Sequence, residues 1–334
     1  MNIAIVGATG NVGRKLLEVL ERTNFEFSEI YLIASDKSVG KKITFKNKNY
    51  SVIGLSDFDF GKVKLAFFSA GSSIAEKWAP IAAKKTIVID NSKYFRMDKE
   101  IPLVVPEVNG EALKAYKNKN IIANANCSTI QLVLALKPLH DQFKIKRVIV
   151  STYQSVSGAG KVHMNELEEQ SKLVLEKQKV NSKNFTKQIA FNVIPHIDSF
   201  MQDGSTKEEW KMTVETKKIL DPNIALTSTC VRVPVFVGHS ESVNIEFKSE
   251  INLEKIRQCL ANAPGCKVYD ERKDGGYITP VESAGDFITY ISRIREDKTQ
   301  KNSINMWIVS DNLLKGAALN AVQIATVLIK KYIH

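Results

Sequence analysis

Cys127 is the residue from which chemistry is most readily read. It stands in Asn124-Ala125-Asn126-Cys127-Ser128-Thr129-Ile130-Gln131, after the apolar run Ile121-Ile122-Ala123 and before Ile130, Leu132, Val133, Leu134 and Leu136. That order reads as strand, tight turn and helix, with Cys127 in the first helical turn, Asn126 or Ser128 available as the cap, and Pro138 as the stop. A free thiol with a pKa of about 8.5 is only slightly ionised at neutral pH. The unpaired N–H groups and positive end of a helix favour the thiolate, which makes Cys127 a candidate nucleophile; the plain alternative is a buried structural thiol. The chain's other cysteines (Cys230, Cys259, Cys266) form no CxxC and no metal-ligand spacing with its five histidines, so neither a metal nor a disulfide is expected.

A second chemical signal opens the chain. The short apolar strand Asn2 to Val6 runs straight into Gly7-Ala8-Thr9-Gly10-Asn11-Val12-Gly13, and Val12, Leu16, Leu17 and Leu20 then recur at helical spacing. Strand, glycine-rich turn and helix in this order form a dinucleotide-binding arrangement. Gly7 permits the tight turn, Gly10 lets the backbone approach a pyrophosphate, and Gly13 lets the helix pack close to the strand, while a phosphate meets the free N–H groups at the helix start. The spacing is GxxGxxG, and a plain turn before a helix is the alternative reading.

The elements that would position these residues alternate between strand and helix. Ile30 to Ala34 reads as the next strand, ending in Ser35, Asp36, Lys37 and Ser38. Small hydroxyls and a cation there suit the 2′-phosphate of NADP, whereas Asp36 keeps NAD open. Strands are expected over Val63 to Phe68, ending in Ser69-Ala70-Gly71, and over Thr86 to Ile89, with a helix from Ile74 to Ala83 between them. Polar, small residues at the carboxyl ends of parallel strands are where an open α/β sheet takes ligands. Residues 1 to about 125 therefore read as a doubly wound domain. Arg96, in the loop that follows, reads as a solvated loop arginine.

Beyond Cys127 the pattern changes. Val148 to Ser157 is β-branched and alternating and ends at Gly158-Ala159-Gly160. Helices are expected at roughly Lys161 to Lys179 and over 207–217, the latter with Glu208, Lys211 and Glu215 along one face, read as solvent-exposed ion pairing. Strands over Thr229 to Val237, Val243 to Phe247 and Phe287 to Ile294 imply an antiparallel-rich sheet. A closing helix from about Asn312 to Tyr332 carries Leu314, Ala317, Ala321, Ile324, Ala325 and Leu328 on its apolar face and is expected to pack back on the first domain.

The 334 residues suit two domains, and 44% hydrophobic with 25% charged residues is the balance of a soluble globular chain. No apolar run is long enough to span a membrane and no signal-like stretch precedes the first strand, so a cytoplasmic protein is expected. The net charge of +11 is spread over many lysines, without an arginine-rich tail or an RNA-binding aromatic motif. Anionic small ligands account for it without a nucleic-acid partner.

Taken together, these motifs make the chain similar to the bacterial aspartate-β-semialdehyde dehydrogenase family over essentially its whole length. The matching stretches are GATGNVG, FSAGSS, NSKYFRM with PLVVPEVN, NANCSTIQ, STYQSVSGAGK, AFNVIPHID, EEWKMTVETKKIL, CVRVPVFVGHS and SDNLLKGAALNAVQIA. The resemblance implies an α/β fold: an NADP-binding Rossmann domain, residues 1–125 plus 313–334, and an inserted α+β catalytic and dimerisation domain, residues 126–312, with a mixed sheet. It implies reductive dephosphorylation of L-aspartyl 4-phosphate to L-aspartate 4-semialdehyde, on the way to lysine (through diaminopimelate), methionine and threonine, by a homodimer or by two dimers paired into a tetramer.

The resemblance also distributes roles. Cys127 would be the nucleophile, Gln154 would orient the intermediate, and His239 would be the acid/base. Arg232 would grip the substrate carboxylate, Glu208 would bind substrate, and Lys211, Arg96 and Asn126 would form the phosphate pocket. Gly158 and Asn312 would lie against the nicotinamide, and Gly7, Thr9, Gly10, Asn11, Val12, Gly13, Ser35, Lys37, Ser38, Ser69 and Gly71 would line the rest of the cofactor site. Positions 232 and 239 differ by an odd number and would point oppositely in one regular strand, so the chain must end or bend its strand at Pro234 or Gly238. His163 and His196 depart from the family pattern and read as surface or supporting histidines. The remaining alternatives are N-acetyl-γ-glutamyl-phosphate reductase, which shares the cysteine chemistry, and a nicotinamide-binding scaffold without catalysis.

Overall fold

The computed structural model describes residues 1–333 and divides the chain into two compact units, residues 1–125 with those from 317 on, and residues 126–316. The return to the first unit thus comes at Ala317 rather than at 313.

The first unit is built on short apolar runs that are buried on both faces, the signature of strands covered on each side in a parallel sheet. These are β1 (Ile3–Val6), β2 (Ile30–Ala34), β5 (Ile53–Gly54), β6 (Leu65–Phe68), β7 (Ile87–Asp90), β8 (Leu103–Val104) and β9 (Ile121–Asn124), with β3 (Lys42–Phe45) and β4 (Lys48–Ser51) forming a separate hairpin. The seven strands lie in the order β5-β2-β1-β6-β7-β9-β8, all parallel. The order reverses direction at β1, so the glycine turn after Val6 sits at the topological switch point. The β3–β4 hairpin was not foreseen from the sequence; its turn residues Lys46 and Asn47 both have positive φ (46° and 60°), as a two-residue hairpin turn demands.

Helix α1 (Asn11–Arg22) buries Leu16, Leu17, Val19 and Leu20, and α2 (Ser72–Ala83) and the single turn α3 (Pro106–Asn109) follow. The C-terminal helix, Leu319–Tyr332, buries Leu319, Val322, Ile324 and Leu328 in the same unit, against α1, α3 and β7. It is tied at its start by Asn320, whose amide donates to Val104 O (3.0 Å) and to Asn124 Oδ1 (2.6 Å). The expected single helix from Asn312 is interrupted. Leu314–Ala318 is π-helical, with Gly316 N–H reaching back to Asp311 O (3.2 Å), and Asp311 Oδ1 takes the N–H groups of Leu313 and Leu314.

The second unit carries a six-stranded mixed sheet in the order β11-β10-β12-β15-β14-β13. Its strands are β10 (Ile145–Gln154), β11 (Ala225–Arg232), β12 (His239–Phe247), β13 (Cys266–Val268), β14 (Thr289–Glu296) and β15 (Ser303–Ser310). β10 with β11 and β13 with β14 are parallel, and the other neighbours antiparallel. β13 and β15 were not among the expected strands.

One face of this sheet is covered by α4 (Cys127–Phe143), α6 (Lys207–Ile219) and α7 (Leu253–Ala261), with Leu132, Leu136, Met212 and Leu260 packed against Val148, Val243 and Ile308. α5 (Lys161–Leu175) ends before Lys179, and one further turn, α8, spans Pro280–Ser283. Pro138 does not stop α4, which continues to Phe143. Proline in a helix interior costs about 3 kcal/mol. Leu139 and Phe143, in the turn beyond it, are buried in the unit's core, and that packing outweighs the loss. Among the described residues no helix is long and apolar enough to cross a membrane.

Candidate active site

In the first unit the glycine turn leaves no room for a side chain at Gly7 or Gly13. A Cβ on Gly13 would lie 2.2 Å from Gly7 O, and one on Gly7, whose φ is +88°, would lie 2.6 Å from Ser69 O. Gly10 is the N-cap of α1 and brings no side-chain cap to it. A groove of about 300 Å³ opens here, lined by Gly7, Thr9, Gly10, Ser35, Ser69 and Ala70 among others. Asn11 and Val12 open α1 beside it, and Gly71, with φ +87°, caps α2. Ser38 is buried in the short 3₁₀ turn after β2, while the Asp36 carboxylate lies near Gly54. A backbone-lined groove ending on a helix N-terminus fits the pyrophosphate of a dinucleotide.

Arg96 is in this unit too, and it is not a solvated loop residue. Only 8% exposed, it donates from Nε to Asn124 O (2.9 Å) and from Nη2 to Asn91 O (3.1 Å).

The second unit gathers the other candidates into one connected network. Asn126 caps α4, its Oδ1 accepting Ser128 N–H (2.9 Å), which places the half-buried Cys127 as the first helical residue. The Asn126 Nδ2 donates to Glu208 Oε1 (3.0 Å), and its backbone N–H donates to Glu215 Oε2 (2.7 Å). Gln154, the last residue of β10, also donates to Glu208 Oε1 (3.1 Å), and Lys211 Nζ lies 2.5 Å from Glu208 Oε2. Glu208, Lys211 and Glu215 are therefore a buried polar face of α6 and not an exposed one. The helix can present them because Thr206 and Glu209 close a capping box at its start.

Burial alone would push the Glu208 carboxyl up. The Lys211 charge and the bonds from Lys211, Asn126 and Gln154 outweigh that and hold its pKa down at about 2.

Arg232 ends β11 beside Gln154 in register, and His239 begins β12. The two sit on different strands, with Pro234 and Gly238 (φ +98°) in the connection, which lets both serve one site. Arg232 Nη1 donates to Ser155 O (2.6 Å). Burial disfavours its charge, and Glu208, Cys127 and Cys230 are the neighbours that support it.

His239 is fully buried and accepts the Ser155 N–H at Nδ1 (3.1 Å), so the proton of the neutral ring is on Nε2. Burial first, and then the Arg232 charge, depress its pKa to about 3. Glu241, two residues along β12, is wholly enclosed, and burial raises its carboxyl well above the usual range.

Gly158 and Asn312 surround the imidazole. A Cβ on Gly158 would meet the His239 ring at 3.2 Å and Arg232 Nη1 at 3.4 Å. Asn312 Oδ1 accepts from Gly238 N–H (2.9 Å) and from the hydroxyls of Ser155 (3.0 Å) and Ser157 (3.2 Å). Opposite the thiol, a Cβ on Gly316 would lie 2.8 Å from Cys127 Cβ.

This geometry agrees with what the chain resembles. Residues 2–116 match the model of the semialdehyde dehydrogenase NAD binding domain, and residues 136–315 that of the semialdehyde dehydrogenase dimerisation domain. An aspartate-semialdehyde dehydrogenase of Rickettsia bellii is 50% identical over 99% of this chain and 98% of its own. The chain belongs to the aspartate-semialdehyde dehydrogenase family. As a member it is an oxidoreductase of amino-acid biosynthesis. Among solved structures, family member II of Vibrio cholerae, complexed with ASA, is 47% identical with a TM-score of 0.97, over 99% of this chain and 98% of its own. The Candida albicans member, solved with NADP, is 26% identical with a TM-score of 0.77, over 100% and 99%.

Within this family frame, the network includes three residues that the sequence alone does not single out: Ser155, Ser157 and Gly316. Ser155 and Ser157 stand just past the carboxyl end of β10, beside Gln154, the kind of position that flags ligand residues in the first unit. Glu215, whose helical spacing reads as part of a solvent-exposed face of α6, is buried there instead. His163 and His196 are partly buried and pack on Phe185 (4.8 Å between ring centres) and on the exposed Phe200 (4.3 Å), as supporting residues near the surface do.

Proposed function

We propose that the chain catalyses the NADPH-dependent reductive dephosphorylation of L-aspartyl 4-phosphate to L-aspartate 4-semialdehyde through a thioacyl intermediate on Cys127. The observation that carries this reading is a half-buried thiol at the start of α4, beside a buried arginine and joined through Asn126 to a buried Glu208–Lys211 pair.

The substrate is an acyl phosphate with a carboxylate at one end and a phosphoryl group at the other. Arg232, oriented by Ser155 O, is assigned the carboxylate, for which a planar guanidinium is suited. Lys211, Arg96 and Asn126 are assigned the phosphoryl group, and Glu208 holds both Lys211 and the substrate in place. The Cys127 thiolate attacks the acyl carbon, phosphate leaves, and a thioester remains on Sγ. The reduced dinucleotide, when bound, supplies the hydride that converts the thioester to the aldehyde level. His239 presents Nε2–H to the oxygen on which negative charge develops, and the Ser155 N–H on Nδ1 fixes that tautomer. As the tetrahedral oxyanion collapses, the carbon–sulfur bond breaks, the Cys127 thiolate is recovered and the aldehyde is released.

NADP is the expected cofactor. Its 2′-phosphate is assigned to Ser35, Lys37 and Ser38, Asp36 being turned toward Gly54, and the Candida relative bound to NADP supports the choice. Gly158 and Asn312 are assigned the nicotinamide side. The region matching the dimerisation model supports a homodimer, and four free cysteines suit a cytoplasmic enzyme on the path to lysine, methionine and threonine.

The test is a reverse assay with aspartate semialdehyde, phosphate and NADP, following the reduced nicotinamide by absorbance. Phosphate-dependent NADPH formation is expected, and its loss in Cys127→Ala. Well-folded wild-type protein giving no signal with NADP or NAD would refute the reading.

A further inference from the structure

Lys211 is held from two sides. On its own helix, Glu208 lies one turn before it, and across from them Asp198 Oδ2 receives its Nζ at 3.2 Å. Asp198 is built for that contact. Its Oδ1 accepts the N–H of Ser199 (2.9 Å), which fixes the plane of the carboxylate and aims Oδ2 at the lysine.

Its backbone sits at φ +67°, in the left-handed region that a non-glycine residue adopts only with support from its surroundings. That support comes from both ends of the segment. Ile194 exchanges backbone bonds with Arg232 (2.9 and 2.8 Å), and Lys207 N–H at the start of α6 donates to Ser199 O (2.9 Å). One short segment thus ties the arginine of β11 to the N-terminus of α6, with Asp198 over Lys211 between the two ties.

We propose that Asp198 is a positioning residue for Lys211, holding its ammonium, together with Glu208, where the phosphoryl group of the substrate is bound. This rests on the reading of Lys211 as a phosphate ligand. A lysine has a flexible four-carbon stem, and its ammonium is a point charge without the fixed fork of arginine. Glu208 constrains it along the helix only. The second carboxylate, from a different segment, fixes it across the helix.

The experiment measures the reverse reaction of the full chain with inorganic phosphate varied against saturating semialdehyde and NADP. Asp198→Asn keeps the size of the side chain and its tolerance of positive φ. It is expected to raise the KM for phosphate about tenfold, with kcat and the KM for semialdehyde changed by less than about twofold. Asp198→Gly, which relieves the backbone and deletes the carboxylate, is expected to do the same should the asparagine variant fold poorly. Lys211→Met raises the phosphate KM as well, and Asp198→Asn added to it has no further effect.

An unchanged or lowered phosphate KM in Asp198→Asn, with Lys211→Met still impaired, overturns the proposal and leaves the lysine's role intact. A full effect of Asp198→Asn in the Lys211→Met background overturns it too, because the residue would then act on the fold. Lys211→Met with an unchanged phosphate KM removes the reading on which the proposal stands, and the proposal with it.

Discussion

At the scale of single residues, the site is a set of polar groups made tolerable in the interior by one another. Glu208 accepts from Asn126, 82 positions away, and from Gln154, 54 positions away, while pairing with Lys211 on its own helix. No local pattern distinguishes such a buried face from a solvated one, because both are polar at helical spacing; the partners that decide it are brought in by other strands. The same holds for Arg96, whose carbonyl acceptors are fixed only when β7 and β9 lie side by side. His239 gives the sharpest consequence. Folded, it resists protonation down to about pH 3, whereas its ordinary pKa is 6.5. The unfolded chain therefore binds the extra proton first, and stability is lost as pH falls from 6.5 toward 3. Between pH 7 and pH 5 this amounts to about 2 kcal/mol. Urea unfolding at the two pH values is expected to show that extra loss in the wild type and not in His239→Asn. Equal losses in both proteins would contradict a histidine buried neutral.

At the scale of elements, the strand–turn–helix at the start of the chain was legible because its glycines answer to local geometry. Gly13 and Gly10 have different tasks, and substitution separates them. A methyl on Gly13 collides with Gly7 O at 2.2 Å, so Gly13→Ala must displace α1 from β1. An overpacked contact of this kind costs about 2 kcal/mol or more. A methyl on Gly10 meets only Gly7 O at 3.4 Å, and Gly10 has an ordinary φ of −78°. Gly10→Ala is therefore expected to keep the melting temperature of the wild type while losing NADP affinity, because its methyl enters the groove. Calorimetric melting and NADP titration of both variants check this, and equal destabilisation of the two would contradict it. Among the elements that were not legible, β3, β4, β13 and β15 are either set by a turn or exist through pairing. Lys46-Asn47 is not among the usual hairpin-turn pairs, and β15 is recognised as a strand by lying between β12 and β14. Pro138 shows the opposite failure, a strong local stop overruled by the burial of the turn that follows it.

At the scale of the whole molecule, the first unit is discontinuous: its parallel sheet comes from residues 1–125, while the closing helix comes from the other end of the chain. The alternation of strand and helix in the first 125 residues announced a doubly wound sheet, and the apolar face of the last helix announced a return. The junction at Ala317 was not legible, since it depends on the π-helical turn before it and on the bonds of Asn124 and Asn320. Such a unit cannot be completed until the chain's last helix is in place, so its stability and its ligand affinity are bound to residues far from any ligand. Ile324 is fully buried in that helix. Ile324→Ala is expected to lose about 3 kcal/mol, since deleting a large buried aliphatic side chain removes its transfer energy and leaves a cavity. If the groove beside the glycine turn binds NADP and the unfolded chain does not, NADP at a hundred times its Kd returns about 2.7 kcal/mol by mass action. Thermal melts of wild type and Ile324→Ala with and without NADP should therefore show the cofactor offsetting most of the mutant's deficit. A mutant that melts low and gains nothing from NADP would place the dinucleotide outside the unit that the C-terminal helix completes.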